Sequence, residues 1–377
     1  MVVTFALFEA GRGAGSVAVA LAAETVPLVV LMLMGGVVAD KFPRRTVMAC
    51  ANLLCFGSQA VLAALFFTHH APLWAIAGLM ACVGSGTAFF KPAVSGLVRE
   101  LVPQAHLQSA NGVSYLVKSV GAVVGPALGG GLVAVAGGGV AIAIDSVCYL
   151  LCASLLLSLP AQAAKPSHRD NMLVLLKKGW REFSRRQWIW TLTLQSAILS
   201  LMVFGPLFVL GPLIFSHQAR GALEWGSLLS LTGVGAVTGS VLVSYCKPRY
   251  PIRFATFVFF TYALFPAGLA AHLPYGVLAV CAVINGVTTP IFGVLWNTQV
   301  QTKIPSEAIS RVTSYEYVGG LSTEPLGYAL AVPLAHFLSP AGALWLGVGV
   351  VVVSNIAVLM VKEVWTLQAE PEKTGSL

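Results

Sequence analysis

Charged residues are scarce in this chain and make up only 10% of its 377 positions. A soluble domain carries about 25% charged residues, so this chain could not cover a water-facing surface. Apolar residues reach 57% and lie in long blocks, several of which exceed the roughly 20 residues that cross a hydrocarbon core. Because backbone amides in lipid must pair within their own segment, the sequence predicts an all-α polytopic membrane protein without a sizeable soluble domain.

Motifs that would indicate catalysis or metal binding are also missing. The seven cysteines lie in or at the end of apolar blocks, which favours a packing role over a disulfide framework. No His/Cys cluster has metal-ligand spacing, and the Gly-x4-Gly-Lys-Ser/Thr motif for ATP phosphates does not occur. We therefore expect a protein that is not an enzyme and that has no metal or other cofactor.

Eleven apolar segments are long enough to cross a bilayer, and we number them spans 2 to 12. Their approximate bounds are 16–39, 46–67, 73–95, 112–134, 140–159, 188–210, 225–245, 254–272, 275–296, 312–337 and 341–361. Before them lies an apolar fragment at 2–8, counted as span 1, which is far too short to cross.

Basic residues orient these spans. Nearly all of the 22 lysines and arginines fall in loops on one side or in the tail, whereas the loops of the other side hold only Arg12 and Arg220. Cytoplasmic loops carry the excess of Lys and Arg, so the rich side is predicted to face the cytoplasm. This topology accounts for the net charge of +8 without a nucleic-acid partner and makes the lipid bilayer the expected partner.

One long polar stretch divides the spans into two groups. We predict a first helix bundle at 1–160, a cytoplasmic basic linker at 161–187, a second bundle at 188–361 and a cytoplasmic tail at 362–377. The linker is either an amphipathic helix on the inner leaflet or a solvated connector.

The two groups of spans also resemble each other at offsets of about 200 residues. The matching pairs are Pro103 and Pro305, Ser114 and Ser314, and Pro126 and Pro325. A drift of only a few residues is typical of a duplicated six-helix unit, and internal repeats are common in secondary transporters.

The loop after span 2 combines small residues, an acid and several bases. Two glycines would let neighbouring helices approach closely, and Asp40 at the helix end is followed by Lys41, Arg44 and Arg45. Such a charge cluster could latch two halves of a transporter in one state and release them in the other. The alternative is a positive-inside anchor without a switching role.

This loop resembles the loop 2–3 motif of the major facilitator superfamily, in which a glycine is followed by an aspartate and paired bases. Span 5 is similar to that superfamily's antiporter motif, Gly-x3-Gly-Pro-x2-Gly-Gly, at Gly121, Gly125, Pro126, Gly129 and Gly130. Stretches within 89–103 and 311–327 are similar to its enterobactin-exporter and macrolide-efflux-like branch.

The resemblance implies two six-helix bundles that work by alternating access. Asp40, Lys41, Arg44 and Arg45 would form the conformational latch, and the antiporter-like motif would kink span 5 and pack it closely. The implied function is proton-coupled efflux of a hydrophobic or amphipathic small molecule, such as a drug, siderophore or secondary metabolite. The protein would be a monomer in the inner or plasma membrane of a bacterium. The alternatives are a nutrient-uptake symporter and a non-transporting membrane receptor or enzyme.

Charges within spans are costly and usually functional. Glu324 is the deepest, at the middle of span 11, and removal from water disfavours the charged form of a carboxylate. Glu324 is therefore the leading candidate for a proton or cation site, and Glu24 and Lys118 are further charge sites. Asp145 and Glu316 lie nearer to span ends and are expected to be interfacial. The membrane arginine that the superfamily carries in span 4 does not occur.

Aromatic residues on spans 4, 7 and 10 would line the central cavity that the resemblance implies. They are Phe89, Phe90, Trp190, Phe204, Phe208 and Trp296. Such a wall would suit a bulky, partly apolar solute, although each residue could equally be a core or lipid-facing aromatic.

The fold requires a complete first helix, which the fragment at 2–8 cannot supply. Because the repeat places the start of span 1 before Met1, we expect the first helix to be truncated in this chain.

Overall fold

The computed structural model describes Val3, Leu7 and residues 14–68, 71–159, 171–215, 221–321 and 323–369. The helices are α1 Ala14–Lys41, α2 Arg44–Phe67, α3 Leu73–Leu101, α4 Leu107–Ala136, α5 Gly138–Ser158, α6 Met172–Ser184, α7 Gln187–Leu199, α8 Gly205–Phe215, α9 Gly221–Tyr245, α10 Pro251–Phe259, α11 Leu264–Ala270, α12 Tyr275–Lys303, α13 Ile309–Leu321, α14 Glu324–Leu359 and α15 Lys362–Thr366. No strand occurs in these ranges.

Nine helical segments within the described ranges are long and apolar enough to cross a membrane. Of the remaining predicted spans, the one at 112–134 lies within α4, and the one at 312–337 is divided between α13 and α14. Span 11 is thus not one continuous helix, because a turn at Thr323 separates α13 from α14. Its predicted end near 337 is confirmed, since α14 consists of two helices that meet at a kink at Ser339 (φ 66°, ψ 159°). The residue before a proline is disfavoured in the helical region, and Pro340 follows Ser339 directly.

Packing divides the chain into two compact units. Unit 1 comprises Met1–Leu101, Val124–Glu182 and Pro305–Tyr315, and unit 2 comprises Val102–Val123, Phe183–Ile304 and Glu316–Leu377. Helices α4 and α13 each contribute residues to both units. Because this division follows packing and not chain order, the bundles, linker and tail proposed from the sequence stay predictions.

In unit 1, α1 packs against α3, and α2 packs against both α3 and α5. Glycines bring the backbones of α1 and α3 together. A Cβ atom built on Gly35 would overlap the carbonyl oxygen of Ala88, and one built on Gly84 would overlap that of Glu24. Small residues at helix contacts are the usual means of close approach in membranes, because apolar side chains gain little by leaving lipid.

The same contact recurs in unit 2 between α9 and α12. A Cβ atom on Gly235 would overlap the carbonyl oxygen of Val283, and one on Gly286 would overlap that of Thr232. Gly235 lies 200 positions after Gly35, and Gly286 lies 202 positions after Gly84. The duplication expected from matching prolines and serines thus appears as one glycine-mediated helix pair in each unit.

Large apolar side chains are exposed on several helices. Leu128 and Leu155 are each 68% exposed, Val353 is 66% exposed and Phe337 is 82% exposed. Soluble monomers rarely present apolar surface on this scale, whereas lipid-facing helices require it. The exposed residues agree with the multi-pass membrane topology.

The expected truncation of the first helix falls on residues 1–13, of which only Val3 and Leu7 are described. Both are buried in an apolar cluster of unit 1 that includes Ile76 and Ile142. The outermost residues of the predicted tail, 370–377, and part of the linker, 160–170, also lie outside the described residues.

Candidate functional site

A buried carboxylate at the end of α1 organises the first candidate site. One oxygen of Asp40 accepts hydrogen bonds from Arg44 Nη2 at 3.0 Å and from the backbone N–H of Ser310 at 3.3 Å. The other accepts from the backbone N–H and the Nε of Arg311, at 3.2 and 3.0 Å. Ser310 and Arg311 lie in the first turn of α13, where backbone N–H groups lack helical partners. The carboxylate therefore meets both a cation and the positive end of a helix.

Arg44 is the second member of the site, and its side chain is fully buried. Besides Asp40 it donates to the carbonyl oxygens of Gly96 and Ser306 and to Glu100 Oε1, the last at 2.6 Å. A Cβ atom on Gly96 would overlap the guanidinium group, so a glycine is needed there to admit it. Burial of a guanidinium is tolerated only with such partners. We call Asp40, Arg44, Glu100, Ser310 and Arg311 the Asp40 cluster.

The structure brings together only two of the four residues predicted for the latch. Asp40 and Arg44 are in contact, but Lys41 is exposed, with its ammonium 5.9 Å from the ring centroid of Phe42. Arg45 donates to the carbonyl oxygen of Leu159 at the end of α5. The expectation that the three following bases surround Asp40 is thus corrected. The chain turns between α1 and α2 and directs these side chains to different neighbours.

The second base on Asp40 is Arg311, which the sequence argument assigned to a branch motif and not to the latch. The helix contact that brings it there depends on Gly36. A Cβ atom on Gly36 would overlap Ser314 Oγ and would lie 2.7 Å from the carbonyl oxygen of Ser310. Arg311 lies 271 positions after Asp40, so local spacing cannot predict this pair. Gly36, one turn before Asp40, did indicate a close approach of another helix.

Helix α6, which lies in the predicted linker, forms a further part of this site. Arg311 Nη1 donates to the carbonyl oxygen of Leu175 at 3.2 Å, and the Tyr315 hydroxyl donates to that of Leu176 at 3.1 Å. A Cβ atom on Gly179 would lie 2.9 Å from Arg311 Cβ, and the ring of Trp180 lies 5.4 Å from that of Tyr315. This part of the linker is therefore helical and held against α13.

Unit 2 contains the second candidate site, a cavity of about 260 Å³. Its wall includes Tyr115, Phe204, Phe292, Trp296, Glu316 and Tyr317. We call it the carboxylate cavity. An adjoining cavity of about 310 Å³ shares three wall residues with it, which are Phe204, Phe259 and Thr289.

Glu316 supplies the charge of the carboxylate cavity. Its Oε1 atom accepts a hydrogen bond from the indole Nε1 of Trp296, whereas its Oε2 atom is buried and has no hydrogen-bond partner in the described part of the chain. Glu316 therefore belongs to a cavity wall, whereas its expected position near the membrane interface stays a prediction. Its position near the end of a predicted span does not show which rings lie around it. Trp296 of α12 contacts the carboxylate, and Tyr115, Phe204 and Phe292 also line the cavity.

Two of the aromatic residues expected from the sequence, Phe204 and Trp296, line the carboxylate cavity. Phe208 lines the adjoining cavity. Trp190 is 39% exposed and lines neither, which agrees with the alternative of a lipid-facing aromatic. Phe89 and Phe90 of α3 belong to unit 1 and are partly buried.

The three predicted charge sites lie on three different helices. Glu324 opens α14, and its side chain lies outside the described residues. Glu24 on α1 is partly buried and within electrostatic range of Lys91 and Asp145. Lys118 on α4 is exposed, with its ammonium 5.1 Å from the ring centroid of Tyr115. Their roles in coupling stay predictions.

The antiporter-like motif lies within the continuous helix α4. A Cβ atom built on Gly121 or Gly125 would meet no described atom within 4 Å. None of the described residues therefore packs closely against these two glycines, and the role of the motif stays a prediction. The side chain of Pro126 lies outside the described residues, and neither Gly129 nor Gly130 alters the helical course.

Comparison with known proteins finds a matching family model and several similar proteins. A family model described as "Major Facilitator Superfamily" matches residues 3–322. Macrolide efflux protein A of Enterococcus faecalis is 25% identical over 74% of this chain and 88% of that protein. Enterobactin exporter EntS of Shigella boydii is 24% identical over 92% of this chain and 83% of that protein. The crystal structure of the E. coli fucose:proton symporter FucP matches with a TM-score of 0.71 at 13% identity, over 95% and 94% of the two chains.

Proposed function

Because the chain belongs to the major facilitator superfamily, we propose that it exports a hydrophobic or amphipathic small molecule by alternating access, driven by the proton gradient. Transporters of this family bind small-molecule substrates in the membrane, and this chain is a multi-pass bacterial membrane protein. The observation that carries the substrate class is the carboxylate cavity, where aromatic rings surround a single carboxylate.

The walls of the two adjoining cavities favour such a substrate. Ligand sites are mostly apolar with a few placed polar groups, and aromatic rings contribute large contact areas. Phe204 and Phe259 line both cavities, and Trp225 and Phe265 extend the aromatic wall of the second. A sugar-like solute would favour a mainly polar wall, whereas these walls expose mainly apolar surface.

The Asp40 cluster provides the conformational latch of this proposal. Segment 305–315 belongs by sequence to the second group of spans, yet it packs within unit 1 through Asp40 and Arg44. Alternating access requires two states with different contacts. We expect the bonds between Asp40 and the first turn of α13 to be made in one state and broken in the other.

The direction of transport rests on relatives and on the span 5 motif. Two similar proteins are named as exporters, of a macrolide and of enterobactin, and the glycines of α4 match the antiporter motif. Coupling to protons is assigned to an intramembrane carboxylate, with Glu324 as the first candidate and Glu24 as the second. Both lie on helices that carry few other charges.

The test is flux in liposomes that contain the purified 377-residue protein. With an inward-directed proton gradient, we expect substrate movement opposite to the protons for at least one member of a panel of macrolides, siderophores and aromatic dyes. Liposomes without protein and liposomes with Asp40→Asn protein are the controls. Substrate movement in the same direction as the protons would instead indicate an uptake symporter, and the absence of any flux would contradict transport.

A further inference from the structure

We propose that the carboxylate cavity binds the cationic head of an amphipathic organic cation, with Glu316 as its counter-charge and the adjoining cavity as the site of its apolar body. This inference rests on the proposed export function, because it names the chemical class of the substrate. It rests on four observations within unit 2.

The first observation is the unpaired oxygen of Glu316. Oε1 accepts a hydrogen bond from the indole N–H of Trp296, and Oε2 is buried without a hydrogen-bond partner among the described residues. An unpaired buried oxygen of a carboxylate carries a large desolvation penalty. Trp296 holds the carboxylate in position. The centroid of its ring lies 5.1 Å from that of Trp188, in an edge-on arrangement, and 6.5 Å from that of Phe292, in a stacked arrangement. The acceptor is therefore fixed in place before any ligand arrives.

The second observation is the composition of the wall around this oxygen. Phe204, Phe292, Trp296 and two tyrosines line the carboxylate cavity. The face of an aromatic ring attracts a cation, most strongly when both are removed from water. Ring faces and a carboxylate together favour an ammonium or similar group. The same arrangement disfavours an anion, which would be placed beside the charge of Glu316.

The third observation is the change in polarity between the two cavities. The described side chains that line the adjoining cavity are aromatic, aliphatic or uncharged polar, and they include Leu207, Phe208, Trp225 and Phe265. A ligand that spans the shared wall at Phe204 would therefore place its charge at one end and apolar groups at the other.

The fourth observation is size. Pockets for drug-sized ligands measure about 300–1,000 Å³, and the carboxylate cavity alone measures about 260 Å³. It suits a head group better than a whole drug. The adjoining cavity of about 310 Å³ supplies the remaining space. An amphipathic cation that occupies both cavities satisfies the charge, the polarity and the volume together.

The experiment compares two probes of the same shape and opposite charge, tetraphenylphosphonium and tetraphenylborate. Binding of each to the purified full-length protein in detergent is measured by equilibrium dialysis, which needs no gradient and no flux. We expect the wild-type protein to bind the phosphonium more tightly than the borate. Glu316→Gln should weaken phosphonium binding at least tenfold without weakening borate binding, because only a cation uses the charge. Glu316→Asp should retain most of the preference.

Glu224→Gln is the matched control, since this carboxylate lies in unit 2 on α9 and lines neither cavity. Thermal unfolding of each variant identifies loss of fold. If binding of both probes weakens equally in a folded Glu316→Gln protein, Glu316 has a structural role. If phosphonium binding is unchanged, Glu316 does not act as the counter-charge of a bound cation. Either result overturns the proposal. If liposomes show no export while phosphonium binding depends on Glu316, the export function fails and the binding site stands.

Discussion

Asp40→Asn is the change that tests the latch most directly. The asparagine keeps the size of the side chain but removes the charge that faces Arg44 Nη2, Arg311 Nε and two backbone N–H groups. Removing one partner of a buried ion pair costs about 3–5 kcal/mol. Arg44 retains Glu100 at 2.6 Å, so we take the lower end, about 3 kcal/mol.

A loss of this size would shift the equilibrium between the two states by about 100-fold. Exposed positions flank the Asp40 cluster at Lys41 and Glu307. Spin labels at these positions, in a chain whose seven cysteines are replaced, report the separation of α1 from the segment before α13. We expect the short distance that dominates in the wild-type protein to give way to longer distances in Asp40→Asn, and transport to fall at equal membrane insertion.

Lys41→Gln, without labels, is the control in the transport assay, because Lys41 is exposed and contacts the Phe42 ring and not Asp40. A surface change of this kind alters stability by less than about 0.5 kcal/mol, so transport should stay near the wild-type rate. If Asp40→Asn gives the wild-type distances and the wild-type rate, Asp40 is a static anchor and the reasoning about a latch is refuted.

Three further predictions concern other contacts. Gly179→Ala should slow transport, because its Cβ atom would lie 2.9 Å from Arg311 Cβ and would push α6 away from α13. The control is Gly78→Ala, whose Cβ atom would meet no described atom within 4 Å. Equal flux from the two variants would refute a role for α6. Gly286→Ala should lower the midpoint of thermal unfolding relative to Gly78→Ala, because its Cβ atom would overlap the backbone of α9. An unchanged midpoint would contradict the close packing of α9 against α12. Glu324→Gln should abolish proton-coupled flux while binding of substrate by dialysis survives; proton-driven flux at the wild-type rate would make Glu324 a structural residue.

The membrane spans could be predicted because length and apolar composition alone decide them. The ends of α2, α3 and α5 lie within a few residues of the predicted spans, apart from the extension of α3 to Leu101. The break before Glu324 could not be predicted in the same way. Pro325 was noted at that position, but a proline in a membrane helix is tolerated when neighbours satisfy the freed backbone groups. The sequence alone does not show whether neighbouring groups satisfy these backbone groups.

The two candidate sites differ in how far the sequence predicted them. The two glycines before Asp40 predicted a close approach of helices at that point, and the structure contains it at Gly36. The partner Arg311 lies 271 positions after Asp40 and is fixed by tertiary packing. Glu316 was discounted because its position along a span says nothing about which rings cover it. A carboxylate becomes a candidate site through its surroundings, and those come from other helices of the fold.

Both sites depend on one helix. Arg311 and Glu316 lie on α13 only five positions apart, which corresponds to about 7.5 Å along a helix axis. A helix of this length moves as a rigid element, so a displacement of Glu316 along the axis is also a displacement of the turn that Asp40 holds. Binding and conformational equilibria that share an element are reciprocally linked. If α13 changes position as one element, we predict that a cation bound at Glu316 and the bonds of Arg311 to Asp40 influence each other by the same factor.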